Sequence, residues 1–341
     1  DFHAGRLFNV DEHIKKLNLK ASISGSGIAF DNMRVMMDGV IDSLEFFDNL
    51  YNEITISGGI DNKKFTGELN VRDENVYLDF NGSLDYSRSV PAYNFTATLR
   101  DAYLDRINLV DRDSSTRLST NLNINFMGDN IDNTQGIIIL DSTVFEESGN
   151  IYTMDDFTLS ITRDSTQYVF LRMYSDILDA TLEGKYTLYL LPKSLTNLFN
   201  NYLDTLISDV SLENYEFLNQ DFIFSVNLKN TKPLTELFFP ALEINERARF
   251  SGGYNERIGN LFVDGKCSEF HYNGILFENW YADYYIQGNS MQLYTGAEKV
   301  FYSDTLKSDS LYVEVKARND SIRYRIKWKD FGEVPFSAAD L

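Results

Sequence analysis

Residues 53–84 read Glu53-Ile54-Thr55-Ile56-Ser57-Gly58-Gly59-Ile60-Asp61-Asn62-Lys63-Lys64-Phe65-Thr66-Gly67-Glu68-Leu69-Asn70-Val71-Arg72-Asp73-Glu74-Asn75-Val76-Tyr77-Leu78-Asp79-Phe80-Asn81-Gly82-Ser83-Leu84. Their apolar residues return at every second position. Ile54, Ile56 and Ile60 fall on one side of the chain, with Thr55 and Ser57 on the other. Phe65, Leu69 and Val71 alternate with Thr66, Glu68 and Asn70, and Val76, Leu78, Phe80 and Leu84 alternate with Tyr77, Asp79, Asn81 and Ser83. A period of two belongs to the pleated strand, whose successive side chains point to opposite faces. The polar links Asp61-Asn62-Lys63-Lys64 and Asp73-Glu74-Asn75 suit hairpins between antiparallel neighbours. Such alternation predicts a sheet with one face buried and one face wet.

The same period recurs outward from this stretch. It is carried by Leu122, Ile124 and Phe126; by Phe157, Leu159 and Ile161; and by Val169, Leu171 and Met173. Phe222, Phe224, Val226 and Leu228 repeat it, as do Leu311, Val313 and Val315, then Ile322, Tyr324, Ile326 and Trp328. Further short links are Gly128-Asp129-Asn130 and Arg318-Asn319-Asp320. A core of parallel strands would instead show continuous apolar runs separated by long helices. The expected fold is therefore mainly β and rich in antiparallel pairs.

Two stretches break the pattern. From Pro192 to Ile207, Leu195, Leu198, Phe199, Tyr202 and Leu206 recur at helical spacing, and Pro192 suits a first helical turn. Thr231 to Phe239 is a shorter helical candidate with Leu234, Leu237 and Phe238. The chain thus divides into a first β-segment (1–190), an amphipathic helix (191–208) and a second β-segment (209–341) with a short helix near 231–239. The stripe of the long helix is expected to lie against the sheet's apolar face or to cap the core at the junction.

Composition narrows the function. The chain has 341 residues, 43% of them hydrophobic and 14% aromatic, which is enough apolar surface to exclude disorder. Its net charge of -20 repels phosphate backbones, so no nucleic-acid partner is expected. Cys267 is the one cysteine, so no internal disulfide forms. No apolar run approaches the roughly 18–20 residues of a membrane-spanning helix. The chain begins at Asp1 without a visible signal peptide, and both ends read as cut from a longer protein.

Catalytic patterns are weak. Glu146-Glu147 and Asp155-Asp156 are adjacent acids, but neighbours on a strand point to opposite faces and cannot flank one substrate. Asp111, Asp113, Asp129 and Asp132 do not follow the spaced-oxygen order of a calcium loop. His271 and Cys267 have no third group to orient them as a nucleophile and base. Gly25-Ser26-Gly27 departs from a nucleophile elbow, and Gly58-Gly59 leads into no phosphate-binding helix. No catalytic residue, cofactor or metal is expected.

Three stretches carry a family resemblance. The first runs from Asp38-Gly-Val-Ile-Asp-Ser-Leu-Glu-Phe46 through Asn52-Glu-Ile-Thr-Ile-Ser-Gly-Gly59 to Val76-Tyr-Leu-Asp-Phe-Asn-Gly-Ser-Leu-Asp85. The second is Tyr174-Ser-Asp-Ile-Leu-Asp-Ala-Thr-Leu-Glu-Gly-Lys-Tyr186, followed at once by the helix. The third runs from Phe250-Ser-Gly-Gly-Tyr-Asn255 through Tyr272-Asn-Gly-Ile275 to Asn319-Asp-Ser-Ile-Arg-Tyr-Arg-Ile-Lys-Trp328. This style resembles the TamB-type translocation and assembly module proteins of the AsmA-like, bridge-like lipid transfer superfamily, in a Bacteroidota form. The resemblance spans nearly the whole chain and rests on repeated style rather than a catalytic signature.

It implies a long curved sheet folded into an open, taco-like trough in the periplasm, where phospholipid acyl chains are the cargo. It also implies an inner-membrane anchor and an outer-membrane assembly partner of the Omp85 class, both reached through parts outside this chain. The lining expected for such a trough is Ile54, Ile56, Phe65, Leu69, Val71, Val76, Leu78, Phe80, Leu122, Ile124, Phe126, Phe157, Leu159 and Ile161. Three other classes alternate similarly: an outer-membrane β-barrel, an extracellular adhesion or scaffold module with a dry core, and, more distantly, a sugar-active β-enzyme.

Seven triplets of Asp, Ser or Thr, then Leu, Ile or Thr begin at Asp42, Asp141, Asp164, Asp204, Asp304, Asp309 and Asp320. They resemble the O-glycosylation sequon of exported proteins in Bacteroidota-type bacteria. The acceptors would be Ser43, Ser142, Ser165, Thr205, Thr305, Ser310 and Ser321; alternatively, the triplets are ordinary Asp- and Ser-rich turns.

Overall fold

A computed structural model describes residues 14–27, 29–46, 49–108, 115–200, 219–232, 235, 239, 241–244, 247–288, 290–303, 305–318, 321–330 and 337–340. The chain is mainly β, and its strand pairs are antiparallel. It forms two compact units, residues 1–160 and 161–341.

In the first unit, β1 (Ile14–Ser26), β2 (Arg34–Phe46), β3 (Asn49–Asp61), β4 (Lys64–Asp73), β5 (Val76–Asp85), β6 (Ala92–Tyr103), β7 (Thr116–Met127) and β8 (Gln135–Glu147) form a meander. Each pairs antiparallel with the next. The strand β9 (Asn150–Arg163) ends this unit, and its last residues fall in the second. The β3–β4 link turns on Asn62 and Lys63 with φ of 47° and 66°, both left-handed, so its twist matches that of the flanking strands. At the β4–β5 link the buried Asp73 carboxylate accepts the backbone N–H groups of Asn75 and Asn52, each at 2.9 Å. Those bonds satisfy one turn donor and one donor of β3 beyond the end of its ladder with β4.

Three bulges keep the apolar face in phase. Asp42 on β2 and one residue each on β6 and β8 are extra to the register of the facing strand. At each, two polar residues turn outward together, so that Ile41 and Leu44, Leu99 and Ala102, and Leu140 and Thr143 follow one another on the same side. Asp101 and Ser142 adopt φ of 49° and 54° there. A core forms at one end of this face, where Ile41, Ile54, Val71 and Val76 are buried with Ala102 of β6 and Leu104 and Ile107 of the β6–β7 connection.

In the second unit, β10 (Val169–Ser175), β11 (Leu178–Lys185), β12 (Asp221–Leu228), β14 (Ala248–Asn255) and β15 (Asn260–Tyr272) pair in succession. β16 (Ile275–Gln287), β17 (Ser290–Ala297), β19 (Lys307–Arg318), β20 (Ser321–Asp330) and β21 (Ser337–Asp340) continue the ladder. β13 (Leu242–Ile244) pairs farther along β15, and β18 (Lys299–Phe301) pairs with both β16 and β19. Between β11 and β12 lies α1 (Leu191–Asn200). The expected helix is thus seen to Asn200, while residues 201–218 lie outside the described residues. Of the shorter candidate, Thr235 and Phe239 donate N–H bonds of 2.8 and 2.9 Å to the carbonyls four residues earlier, as in a helix. Leu234, Leu237 and Phe238 lie outside the described residues.

Candidate functional site

Register decides which side chains meet on the apolar face of the first unit. One row crosses the strands as Ile41, Ile54, Val71, Leu78 and Leu99. The next is Gly39, Ile56, Leu69, Phe80, Ala97, Leu122 and Leu140. A third is Met37, Gly58, Gly67, Gly82, Phe95, Ile124 and Ile138, and a fourth is Val35, Ile60, Phe65, Leu84, Tyr93 and Phe126. At about 4.8 Å per strand, a row from β2 to β8 runs roughly 30 Å along the sheet.

The expected lining residues on β3, β4, β5 and β7 therefore share one face. Val76 joins them in the packed end. Phe157 and Leu159 occupy alternate, half-buried positions of β9, and the buried Ile161 follows on that strand in the second unit. Tyr93, Phe95, Ala97 and Leu99 on β6 and Ile138 and Leu140 on β8 belong to the same rows. They were not among the residues expected from sequence, although Tyr93 to Leu99 alternate as cleanly as β4 does.

Burial varies along the rows. Ile54 is 3% exposed and Val71 7%, whereas Phe65, Leu69, Phe80, Phe95, Leu122 and Phe126 are only half-buried. The rings of Phe65 and Phe80 lie 6.2 Å apart, those of Phe80 and Phe95 4.9 Å, and those of Tyr93 and Phe126 4.7 Å. The Tyr93 phenol is pushed up to about 12 by burial and then by its hydrogen bond with Tyr86, so it stays neutral.

Gly58, Gly67 and Gly82 stand in register on three adjacent strands of this face. A Cβ on Gly67 would sit 2.4 Å from the Ser57 carbonyl oxygen and 2.6 Å from the Gly58 Cα. Gly82 has φ of +151°, and a Cβ there would meet the Phe95 Cα at 2.4 Å. No side chain fits, so the backbones approach closely and the row is bare.

The second unit treats its apolar face differently. Leu198 of α1 is buried against Phe222, Tyr254, Leu261 and Ile286, with Leu191, Leu195 and Phe199 packed beside it. Tyr254 Oη donates to the Ser194 carbonyl at 3.4 Å, and the Phe199 and Tyr284 rings lie 6.3 Å apart. Tyr202 and Leu206 lie outside the described residues.

Groups considered for chemistry find other occupations. Glu146 pairs with Arg117, and Asp129 accepts from the Asn130 and Asn133 amides. Cys267 donates to the Glu269 carbonyl at 3.3 Å, and His271 lies four residues along β15, about 13 Å away at the rise of a strand. Among the described residues no group of three His, Cys, Asp or Glu is arranged to hold a metal ion.

The glycosylation candidates also have structural settings. Ser43 and Ser310 flank extra residues in their strands, and Ser142 lies within the bulge of β8. Ser165 sits in a turn where Asp164 accepts from Thr166 and Tyr168, at 2.8 and 2.9 Å. Thr305 is exposed in a link, Ser321 is exposed at the start of β20, and Thr205 lies outside the described residues.

Compared with known proteins, the chain matches no family model, no curated protein and no solved structure.

Proposed function

We propose that the first unit lays phospholipid acyl chains along its apolar rows, and that the chain is a non-catalytic segment of a lipid-carrying bridge. The observation that carries this reading is the half-burial of Phe65, Leu69, Phe80, Phe95 and Leu122 on four adjacent strands of one face, set among the buried Ile60, Ala97 and Ile124 and the bare Gly58, Gly67 and Gly82. Exposed apolar surface is costly, and an acyl chain covering it gains roughly 0.8 kcal/mol per buried CH₂. Such binding needs shape and greasiness rather than polar specificity, in keeping with the weak catalytic patterns of the sequence. The strip of half-buried residues spans about 14 Å from β4 to β7, and the rows it belongs to run roughly 30 Å from β2 to β8, enough for a whole acyl chain. The resemblance to TamB-type proteins adds the setting: a periplasmic trough between the inner and outer membranes, with an inner-membrane anchor and an Omp85-class partner reached through other parts of the protein.

Native mass spectrometry of purified protein tests this reading. Phospholipid is expected to copurify, and Leu69→Glu, which puts a charge in the strip, is expected to remove it while strand content is retained. Protein that carries no lipid after mild purification contradicts the reading, as does lipid retained in full by Leu69→Glu.

A further inference from the structure

The polar face of the second unit carries a groove of about 640 Å³ across β12, β14, β15 and β16. Its cations are Lys229, Arg247, Arg249 and Lys266, and its one carboxylate is Asp179. Arg249 and Lys266 are directly opposite one another on paired strands, and both are exposed. Their neighbours in sequence, Ala248 and Cys267, are buried and contribute to the floor of the groove. Arg247, just before β14, lines the same groove. Neighbouring strands are about 4.8 Å apart and alternate residues about 6.6 Å, so these three side chains start from a triangle small enough to converge on one anion.

The charge there runs against the chain. With a net charge of -20 overall, a groove holding four cations and one carboxylate concentrates positive potential locally. Lys229 pairs with Asp179 at 2.6 Å, which uses that carboxylate. Arg249 Nε donates to Asn227 Oδ1 at 2.8 Å, fixing the guanidinium while using one of its five N–H groups. Further carboxyls stand at its edge: Glu298 accepts from the lining Asn279 at 2.7 Å, and Asp264 and Asp283 lie opposite each other on β15 and β16. Lys266 favours the charged form of Asp283, but burial and the contact with Asp264 outweigh it and hold that carboxyl above its ordinary range.

We propose that this groove binds a phosphate-bearing ligand, with Arg247, Arg249 and Lys266 taking the phosphate oxygens. Planar guanidinium forks suit tetrahedral oxyanions. The phosphate can belong to a lipid headgroup or to a soluble ester, since both present the same oxyanion. The inference does not depend on acyl binding, because it concerns the polar face of the other unit.

Calorimetry of the full chain at low and high salt tests it, with inorganic pyrophosphate in one arm and vesicles of phosphatidylglycerol or phosphatidylcholine in the other. The double charge reversal Arg247→Glu with Arg249→Glu is compared with Arg257→Glu, an exposed site away from the groove. Pyrophosphate or phosphatidylglycerol is expected to bind, to weaken with salt, and to lose about tenfold or more in the double variant while Arg257→Glu stays near wild type. Binding in the pyrophosphate arm assigns a soluble ester, and binding confined to phosphatidylglycerol vesicles assigns a lipid headgroup. If the reversal unfolds the unit, Arg249→Gln with Lys266→Gln repeats the comparison. No binding in either arm, or equal losses in the groove and control variants, overturns the proposal. Loss of groove binding leaves copurified lipid on the first unit unchanged if the two sites are separate.

Discussion

Both units present an amphipathic antiparallel sheet, and they differ in what meets the apolar side. In the second unit α1 drives Leu198 down to 4% exposure on Phe222, Tyr254, Leu261 and Ile286. In the first, Leu104 and Ile107 close over Ile54, Val71 and Val76 at one end, while farther along the rows Phe65, Phe80 and Phe95 stay half-open among the buried Ile60, Ala97 and Ile124. The same alternation therefore yields a packed core or an accessible strip. What decides is whether the intervening chain supplies an apolar stripe to cover it, because a strand's own side chains bury only one layer.

The largest effect should come from removing that cover. Leu198→Ala is expected to cost the second unit about 2–5 kcal/mol, the range for a truncated core leucine, whereas Leu69→Ala should cost the first about 1 kcal/mol, since its leucine is only half-buried. Urea unfolding followed by a probe in each unit measures both, and equal costs would abolish the contrast. Next in size is Gly67→Ala. Its Cβ would collide with the Ser57 carbonyl, so a loss on the order of 2 kcal/mol is expected in the first unit. A neutral outcome would mean that the bare row is a compositional accident.

Smaller effects follow from two carboxyls with opposite shifts. In the first unit Asp85 is held below the usual carboxylate range by the Ser87 hydroxyl, then by the Ser87 N–H and Arg88, against an opposing burial effect. Its contribution is therefore present above about pH 4 and lost as pH falls through the lower folded value. Protection factors of the β5–β6 turn amides, corrected for intrinsic exchange, should fall in acid, and Asp85→Asn should remove that dependence. In the second unit Asp283 is raised, by burial first and by Asp264 next. Here stability is greatest below about pH 4 and is lost as pH rises through the raised value, so Asp283→Asn should lift the thermal midpoint slightly at neutral pH. A fall instead would show that the charged form is the one the fold prefers.

Much of this architecture was legible in the sequence. The strands β3, β4, β5 and β7 follow directly from alternation, and so does the amphipathic start of α1. Other features require the register. Ile137 to Leu140 is a continuous apolar run, so its phase is hidden until Leu122 and Ile124 are seen opposite Leu140 and Ile138. The Asp-Ser pairs at Asp42 and Asp141 look like turns or modification sites, yet they sit at bulges that restore the phase of the apolar face. The glycine row is invisible along the chain, because Gly58, Gly67 and Gly82 are far apart in sequence and become neighbours only through pairing. The cationic groove is hidden in the same way, with Lys229, Arg247 and Lys266 brought together by three strands in an otherwise acidic chain.

Photo-crosslinking in cells tests the half-open strip most directly. A photoreactive residue at Phe80 or Phe95, on the apolar rows, is expected to capture phospholipid, and one at Thr96, exposed on the opposite face of β6, is not. Lipid adducts at Phe80 and Phe95 with none at Thr96 are the predicted result. Equal labelling at all three positions, or none at Phe80 and Phe95, would contradict an acyl-binding face.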